Sequence, residues 1–305
     1  MSSSDEYAPG LRFSTSNAGL DNLLIFIGGL GDGLDTVPYI DPLSHLLAKH
    51  GWTLVQIETR SSYSGWGTGS LACDVEDITA AVKYFTDLRK RAGSPYAKVA
   101  LLGHSTGCQD VMHYLTLDNE FTKVADRPKI NGAIIQASVS DREAFLAMEG
   151  NTREFWQESL ATVSKLLDED YNGNKDKLVP SHYFSHFFDT PISNYRWKAL
   201  LAVRGDDDYF SSDLTADDFA KTFGQIAAKG RTDKLLVLYS GSDEFVPKTV
   251  DKHALVARFQ AATSPSIWSP LSGIVEGATH NINEHSAPGA LEEVITRIRD
   301  FLIAL

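Results

Sequence analysis

The sequence reads as an α/β protein: a mostly parallel central sheet flanked by helices, with one mainly helical insertion. Three observations lead there. Short aliphatic runs recur along the chain, as in strands buried on both faces. Helical patterns lie between several of them, which makes βαβ units. The alternation breaks once, between about residues 140 and 230.

Residues 23–27, 53–57, 99–102, 132–136 and 235–239 are the expected strands, with 273–275 a weaker one. Residues 42–50 carry the first helical pattern. Residues 75–91 carry the second, with Val75, Ile78, Val82 and Phe85 on one face. Residues 106–117 form the third. In the last, 291–302, Val294, Ile295, Ile298 and Leu302 point inward. The interrupting stretch is polar and aromatic, and at about 90 residues it is too long for a structureless loop. It reads as a cap over the carboxyl ends of the strands, where ligands bind in open α/β sheets. The expected division is therefore core 1–139, cap 140–230 and core 231–305.

Residues 99–102 run into Gly103-His104-Ser105-Thr106-Gly107, and a helical pattern follows. Strand, Gly-x-Ser-x-Gly and helix together make a nucleophile elbow, the signature of the α/β-hydrolase fold. The turn is so sharp that the serine backbone is strained. Side chains two positions either side would collide with neighbouring backbone, hence the glycines.

A serine hydroxyl needs a histidine base, and the base needs a carboxylate to hold its tautomer. In this fold the chain order is serine, acid, histidine. The strand 235–239 leads to Ser240-Gly241-Ser242-Asp243-Glu244-Phe245-Val246-Pro247, where Asp243 is the expected acid and Glu244 the second choice. The loop after 273–275 offers His280, with His285 five residues on as the lesser candidate.

The oxyanion of acyl transfer needs two N–H donors. Thr106 N–H supplies one. The loop Gly28-Gly29-Leu30-Gly31-Asp32-Gly33 supplies the other, assigned to Leu30, with Gly29 beside the substrate. That loop is no dinucleotide cradle, because the third glycine of G-x-G-x-x-G is Leu34. His182 and His186 sit four apart without the glutamate of H-E-x-x-H or an evident third ligand, so no protein metal site and no cofactor are expected.

Composition narrows the partners. Hydrophobic residues are 43% and charged residues 22%, ordinary for a globular chain with a real core. A net charge of -12 repels phosphate backbones and anionic lipid, which argues against nucleic acid and membrane. No apolar run approaches the roughly 20 residues of a membrane span, and the N-terminus lacks a basic and an apolar signal region. A cytoplasmic location is the expectation. Cys73 and Cys108 read as reduced thiols.

Two further segments carry a family resemblance. One is Arg60-Ser61-Ser62-Tyr63-Ser64-Gly65-Trp66-Gly67-Thr68-Gly69-Ser70-Leu71, followed by Asp74-Val75-Glu76-Asp77-Ile78. The other is Tyr195-Arg196-Trp197, then Gly205-Asp206-Asp207-Asp208-Tyr209-Phe210-Ser211-Ser212-Asp213-Leu214. With the elbow, they resemble a fungal α/β-hydrolase family that includes the siderophore esterases, from about residue 22 to 302. The resemblance implies hydrolysis of ester bonds in cyclic trihydroxamates such as fusarinine C and triacetylfusarinine C, releasing iron inside the cell. Its triad positions match Ser105, Asp243 and His280. Iron would be held by the substrate. Fusarinine C carries free amines that its triacetyl form lacks, so Asp206, Asp207 and Asp208 are expected to favour the amine form. Arg60, Tyr63 and Trp66, after the strand 53–57, are further candidate substrate contacts. A general carboxylesterase, lipase or thioesterase on the same triad is the alternative. A non-catalytic binding protein on the same fold is the third reading. Oligomeric state is not legible.

Overall fold

The computed structural model describes residues 5–15, 19, 22–94, 97–184 and 188–305. Its first half runs β1 (Asp5–Ala8), β2 (Leu11–Thr15), β3 (Asn22–Ile27), α1 (Ile40–Ala48), β4 (Trp52–Ile57), α2 (Leu71–Arg91), β5 (Val99–His104), α3 (Gly107–Thr116) and β6 (Gly132–Gln136). Then come α4 (Asp141–Ala147), α5 (Arg153–Glu169), α6 (Tyr171–Asn174), α7 (Asn194–Leu201), α8 (Ala216–Lys221) and α9 (Ile226–Lys229). The chain closes with β7 (Lys234–Ser240), α10 (Lys252–Ala262), β8 (Gly273–Val275) and α11 (Ala290–Ala304).

The eight strands form one sheet in the order β1-β2-β4-β3-β5-β6-β7-β8. β1 and β2 are antiparallel to their neighbours and the remaining pairs are parallel. This is the α/β-hydrolase fold the elbow led one to expect. The six expected strands are all present. The N-terminal hairpin β1–β2 and the helix α10 were not expected. The hairpin is short, and α10 has almost no one-sided apolar stripe in its sequence, so neither gives a strong periodic signal.

Strand alternation feeds two cores. Leu23, Ile25 and Ile27 of β3 face one, with Val75, Ile78, Val82 and Phe85 of α2. Leu24 and Phe26 face the other, with Leu43 and Leu47 of α1 and Val294 and Ile298 of α11. α2 starts where the Ser70 side chain accepts from Cys73 N–H, and Arg89, Lys90 and Arg91 occupy its last turn, at the negative end of the helix dipole. Among the described residues no helix is long and apolar enough to cross a membrane.

Residues 140–230 divide by packing. Phe145, Trp156, Val163, Trp197, Leu200 and Leu201 from α4, α5 and α7 form a third apolar cluster, which Trp66 joins. Tyr209, Phe210, Phe219, Phe223 and Ile226 belong instead to the first core, where Phe223 stacks on Phe259 of α10 at 4.7 Å. We therefore propose a cap of about residues 140–205, with the remainder part of the core.

After β3 the chain adds β4 on one side, then returns to place β5 on the other. The carboxyl ends of β3 and β5 thus meet at a topological switch point, where ligands bind in open sheets. The loop after β3 and the elbow after β5 are brought together there.

Candidate active site

Ser105 has φ 55, a left-handed backbone that an L-residue adopts only under constraint. The constraint is close packing of backbone. A Cβ at Gly103 would stand 2.2 Å from Gly107 O, and one at Gly107 would stand 2.4 Å from Ile27 O. Ser105 N–H donates to Gln136 O at 3.1 Å, which ties the turn to β6.

His280 Nε2 lies 2.9 Å from Ser105 Oγ, and His280 Nδ1 lies 2.8 Å from Asp243 Oδ2. A carboxylate only accepts, so Nδ1 carries the proton and Nε2 is free to take one from the serine. The other carboxylate oxygen accepts from Phe245 N–H at 3.0 Å, and the Asp243 side chain is fully buried. Lys252 Nζ donates to Gly241 O at 2.7 Å and steadies the loop that carries the acid.

Glu244, the second-choice acid, does not face the imidazole. Its Oε2 accepts from the backbone N–H of His280 at 2.9 Å. His285 is exposed and beside Glu284, away from Ser105. His104 is fully buried, its ring centroid 5.1 Å from that of His280. Its two nitrogens meet Gln136 Oε1 at 2.6 Å and Asn281 Oδ1 at 2.9 Å. Burial, then the nearby His280, holds its pKa below the usual imidazole value. His104 thus links the elbow, β6 and the histidine loop, a role no local motif announces.

The glycine loop approaches the serine closely. A Cβ on Gly29 would fall 2.5 Å from Ser105 Cβ. Gly29 N–H is taken by Asp32 Oδ2 at 2.8 Å. Among the described residues the backbone N–H groups of Leu30 and Thr106 have no protein acceptor. Leu30 lines the cavity beside Ser105, and Thr106 follows the serine directly.

That cavity has a volume of about 380 Å³ and is bounded mainly by apolar side chains, among them Trp66, Phe145, Phe188, Trp197 and Leu201. Most come from the cap and were not read as cavity wall from the sequence, since a cluster spread over α4 and α7 has no linear motif. Two carboxyls also reach it, Asp32 and Asp141.

Of the expected substrate contacts, Trp66 lines the cavity and the others do not. The Arg60 guanidinium is held by Asp77, Glu76 and Cys73 O, against the Phe121 ring. Tyr63 Oη accepts from Leu34 N–H at 3.1 Å and donates to Glu58 at 3.0 Å, bracing the glycine loop from outside. The acidic run is likewise structural. Asp207 is buried and accepts two bonds from Arg196 Nη1 at 2.7 and 2.8 Å. Asp208 accepts from Arg142 and from Arg204 N–H. Asp206 accepts from Tyr195 Oη at 2.7 Å on an outer groove. None of the three lines the Ser105 cavity, and the oxygens of Asp207 and Asp208 are engaged within the chain itself, so this geometry lends the expected substrate contact no support. Gly29 touches a neighbouring small polar cavity rather than the main one. His182 is exposed with its ring against Tyr183, and His186 lies outside the described residues. Among the described residues no cluster of three or more His, Cys, Asp or Glu side chains is placed to hold a metal ion.

Comparisons with known proteins fit this geometry. Residues 5–303 match the family described as "Protein of unknown function (DUF1749)". The UPF0613 protein PB24D3.06c of Schizosaccharomyces pombe is 44% identical over 293 residues, 92% of this chain and 88% of that protein. Fusarinine C esterase sidJ of Aspergillus fumigatus is 34% identical, over 96% of this chain and 92% of its own. Among solved structures, the siderophore hydrolase EstB of Aspergillus fumigatus superposes with a TM-score of 0.85 at 33% identity, covering 100% of this chain and 97% of its own. Fold and relatives define an ester-hydrolysing enzyme of the α/β-hydrolase class. Within that class, the chain belongs to the DUF1749 family.

Proposed function

We propose that the protein is a serine esterase that cleaves ester bonds of hydroxamate siderophores, fusarinine C and its triacetyl form being the candidate substrates. The observation that carries the mechanism is the unbroken chain from Ser105 Oγ through His280 to Asp243, at 2.9 and 2.8 Å. The substrate class is supported by similarity along nearly the whole chain to a fusarinine C esterase and a siderophore hydrolase.

In this reading His280 Nε2 takes the Ser105 proton as Oγ attacks the ester carbonyl. Asp243 stabilises the imidazolium. The N–H groups of Leu30 and Thr106 receive the oxyanion. His280 then protonates the leaving alcohol, and water, activated by the same base, releases the acid from Ser105. Iron, in this reading, travels with the substrate.

The test is chromatography of both ferric siderophores after incubation with wild type and with Ser105→Ala. Linear fragments from wild type are expected. The variant should retain less than about one part in 10³ of that rate. Cleavage by Ser105→Ala at the wild-type rate would overturn the assignment of the nucleophile. The apolar lining of the cavity favours a second reading, a carboxylesterase for simpler esters with one apolar arm. Hydrolysis of p-nitrophenyl esters with both siderophores untouched would select it.

A further inference from the structure

Among the described residues, Asp141 is the one carboxyl lining the Ser105 cavity that the loops do not consume. Asp32, the other, accepts from Gly29 N–H at 2.8 Å and from Thr36 Oγ1 at 2.9 Å. Asp141 accepts at Oδ2 from Gln109 Nε2 at 2.8 Å. Val139, Ala144 and Phe145, its neighbours along the chain, line the same cavity.

A carboxyl among apolar side chains calls for a positive partner. Among the described residues no Lys or Arg lines this cavity. The nearest guanidinium in charge terms, Arg196, is already engaged by Asp207 and by Trp66 O at 3.0 Å. Aromatic rings stand close by. Phe145 and Trp197 meet edge to face at 5.5 Å, and Trp66 meets Phe188 at 5.2 Å. A carboxyl beside aromatic faces, in a chain of net charge -12, is the surrounding that a substituted ammonium prefers.

We propose that Asp141 is a specificity residue that receives a primary ammonium group on the ester substrate, in the same cavity as Ser105. The subsite replaces the role expected of the run Asp206 to Asp208. It deepens the siderophore reading and rests on it only for the natural substrate: an amine-bearing trihydroxamate would be preferred over its N-acetylated form. Burial, then the Asp207 charge, pushes Asp141 up to about 8, which favours the neutral acid where no cation faces it. An ammonium partner draws it to the carboxylate, and the displaced proton leaves to solvent.

The experiment measures kcat/KM for two substrate pairs with wild type, Asp141→Asn and Asp141→Glu. One pair is ferric fusarinine C and its triacetyl form. The other is the 4-nitrophenyl ester of 6-aminohexanoate and its N-acetyl derivative, which needs no siderophore. Wild type should prefer the amine of each pair. Asp141→Asn should lower the amine-to-acetyl ratio by about tenfold or more, the worth of one charge-assisted hydrogen bond. Asp141→Glu should keep most of the preference. Labelling of Ser105 by a fluorophosphonate establishes that each variant is folded and reactive. An unchanged ratio, or an equal loss on both members of a pair, overturns the subsite. Should neither siderophore be cut while the aminohexanoate pair behaves as stated, the siderophore reading fails and the ammonium subsite stands. If neither pair shows an amine preference in wild type, the subsite is wrong whatever the siderophores do.

Discussion

His113, buried on α3, shows how one residue contributes to the response to acid. Its Nδ1 lies 3.2 Å from Tyr209 Oη and its Nε2 lies 3.3 Å from Asn119 Nδ2. Burial, then the Arg127 charge, lowers its pKa from 6.5 to about 4. Between those two values the unfolded chain binds this proton and the native chain does not. Stability therefore falls as pH drops from about 6.5 to about 4, and this contribution is constant below that. The full span is up to about 3 kcal/mol. Urea unfolding at pH 7 and pH 4 should show His113→Gln losing less stability on acidification than wild type. Equal losses would assign the acid limb to other groups. The same scale explains Ser105, whose strained φ is held by backbone on every side rather than by its own preference.

Among the elements, α7 joins cap to core. Arg196 projects from it to Asp207 and to Trp66 O, linking the helix to the start of the core-packed segment and to the loop after β4. Both charges are almost fully buried. Removing one partner of such a pair strands the other in low dielectric, at about 3–5 kcal/mol. Arg196→Ala should lower stability by that amount in urea titrations, with esterase activity lost alongside as Trp66 and Trp197 shift. A change below about 1 kcal/mol would mean the pair is dispensable. Serine, threonine and aspartate caps start α2, α4, α5, α7 and α10, each accepting an N–H of the first turn. Local chemistry thus fixes where these five helices begin, and the cap cluster fixes how α4, α5 and α7 lean together.

For the whole molecule, the sheet has one vulnerable side. β2 pairs with β4 through Phe13↔Ile57, Ser14↔Gln56 and Thr15↔Val55, and Tyr7 and Phe13 join the first core. Without the hairpin, β4 would present a long apolar edge, which templates pairing between chains. Deleting residues 1–15 should yield soluble aggregates or precipitate in size-exclusion chromatography with light scattering. A monodisperse product of unchanged activity would show that the hairpin is ornamental. The parallel centre needs no such guard, since each of its strands is paired on both sides and helices cover both faces.

The strands were legible because burial on both faces writes itself as aliphatic runs, and 132–136 and 273–275 match β6 and β8 to the residue. The elbow was legible because a turn of that sharpness admits only glycine at positions 103 and 107. The positions of Asp243 and His280 followed from chain order and strand ends. For the acidic run 206–208, charge in sequence does not say that Asp207 and Asp208 are engaged within the chain or that the run lies off the Ser105 cavity. The hairpin and α10 were missed for want of a period. The sequence by itself determined the fold and the residues aligned from Ser105 to Asp243, because these depend on local backbone sterics and strand order. Only the tertiary structure decided the cavity wall, the bracing by His104 and Glu244, and the place of Asp141 on that wall. These arise where separate helices and loops converge, and no spacing along the chain encodes which side chains meet.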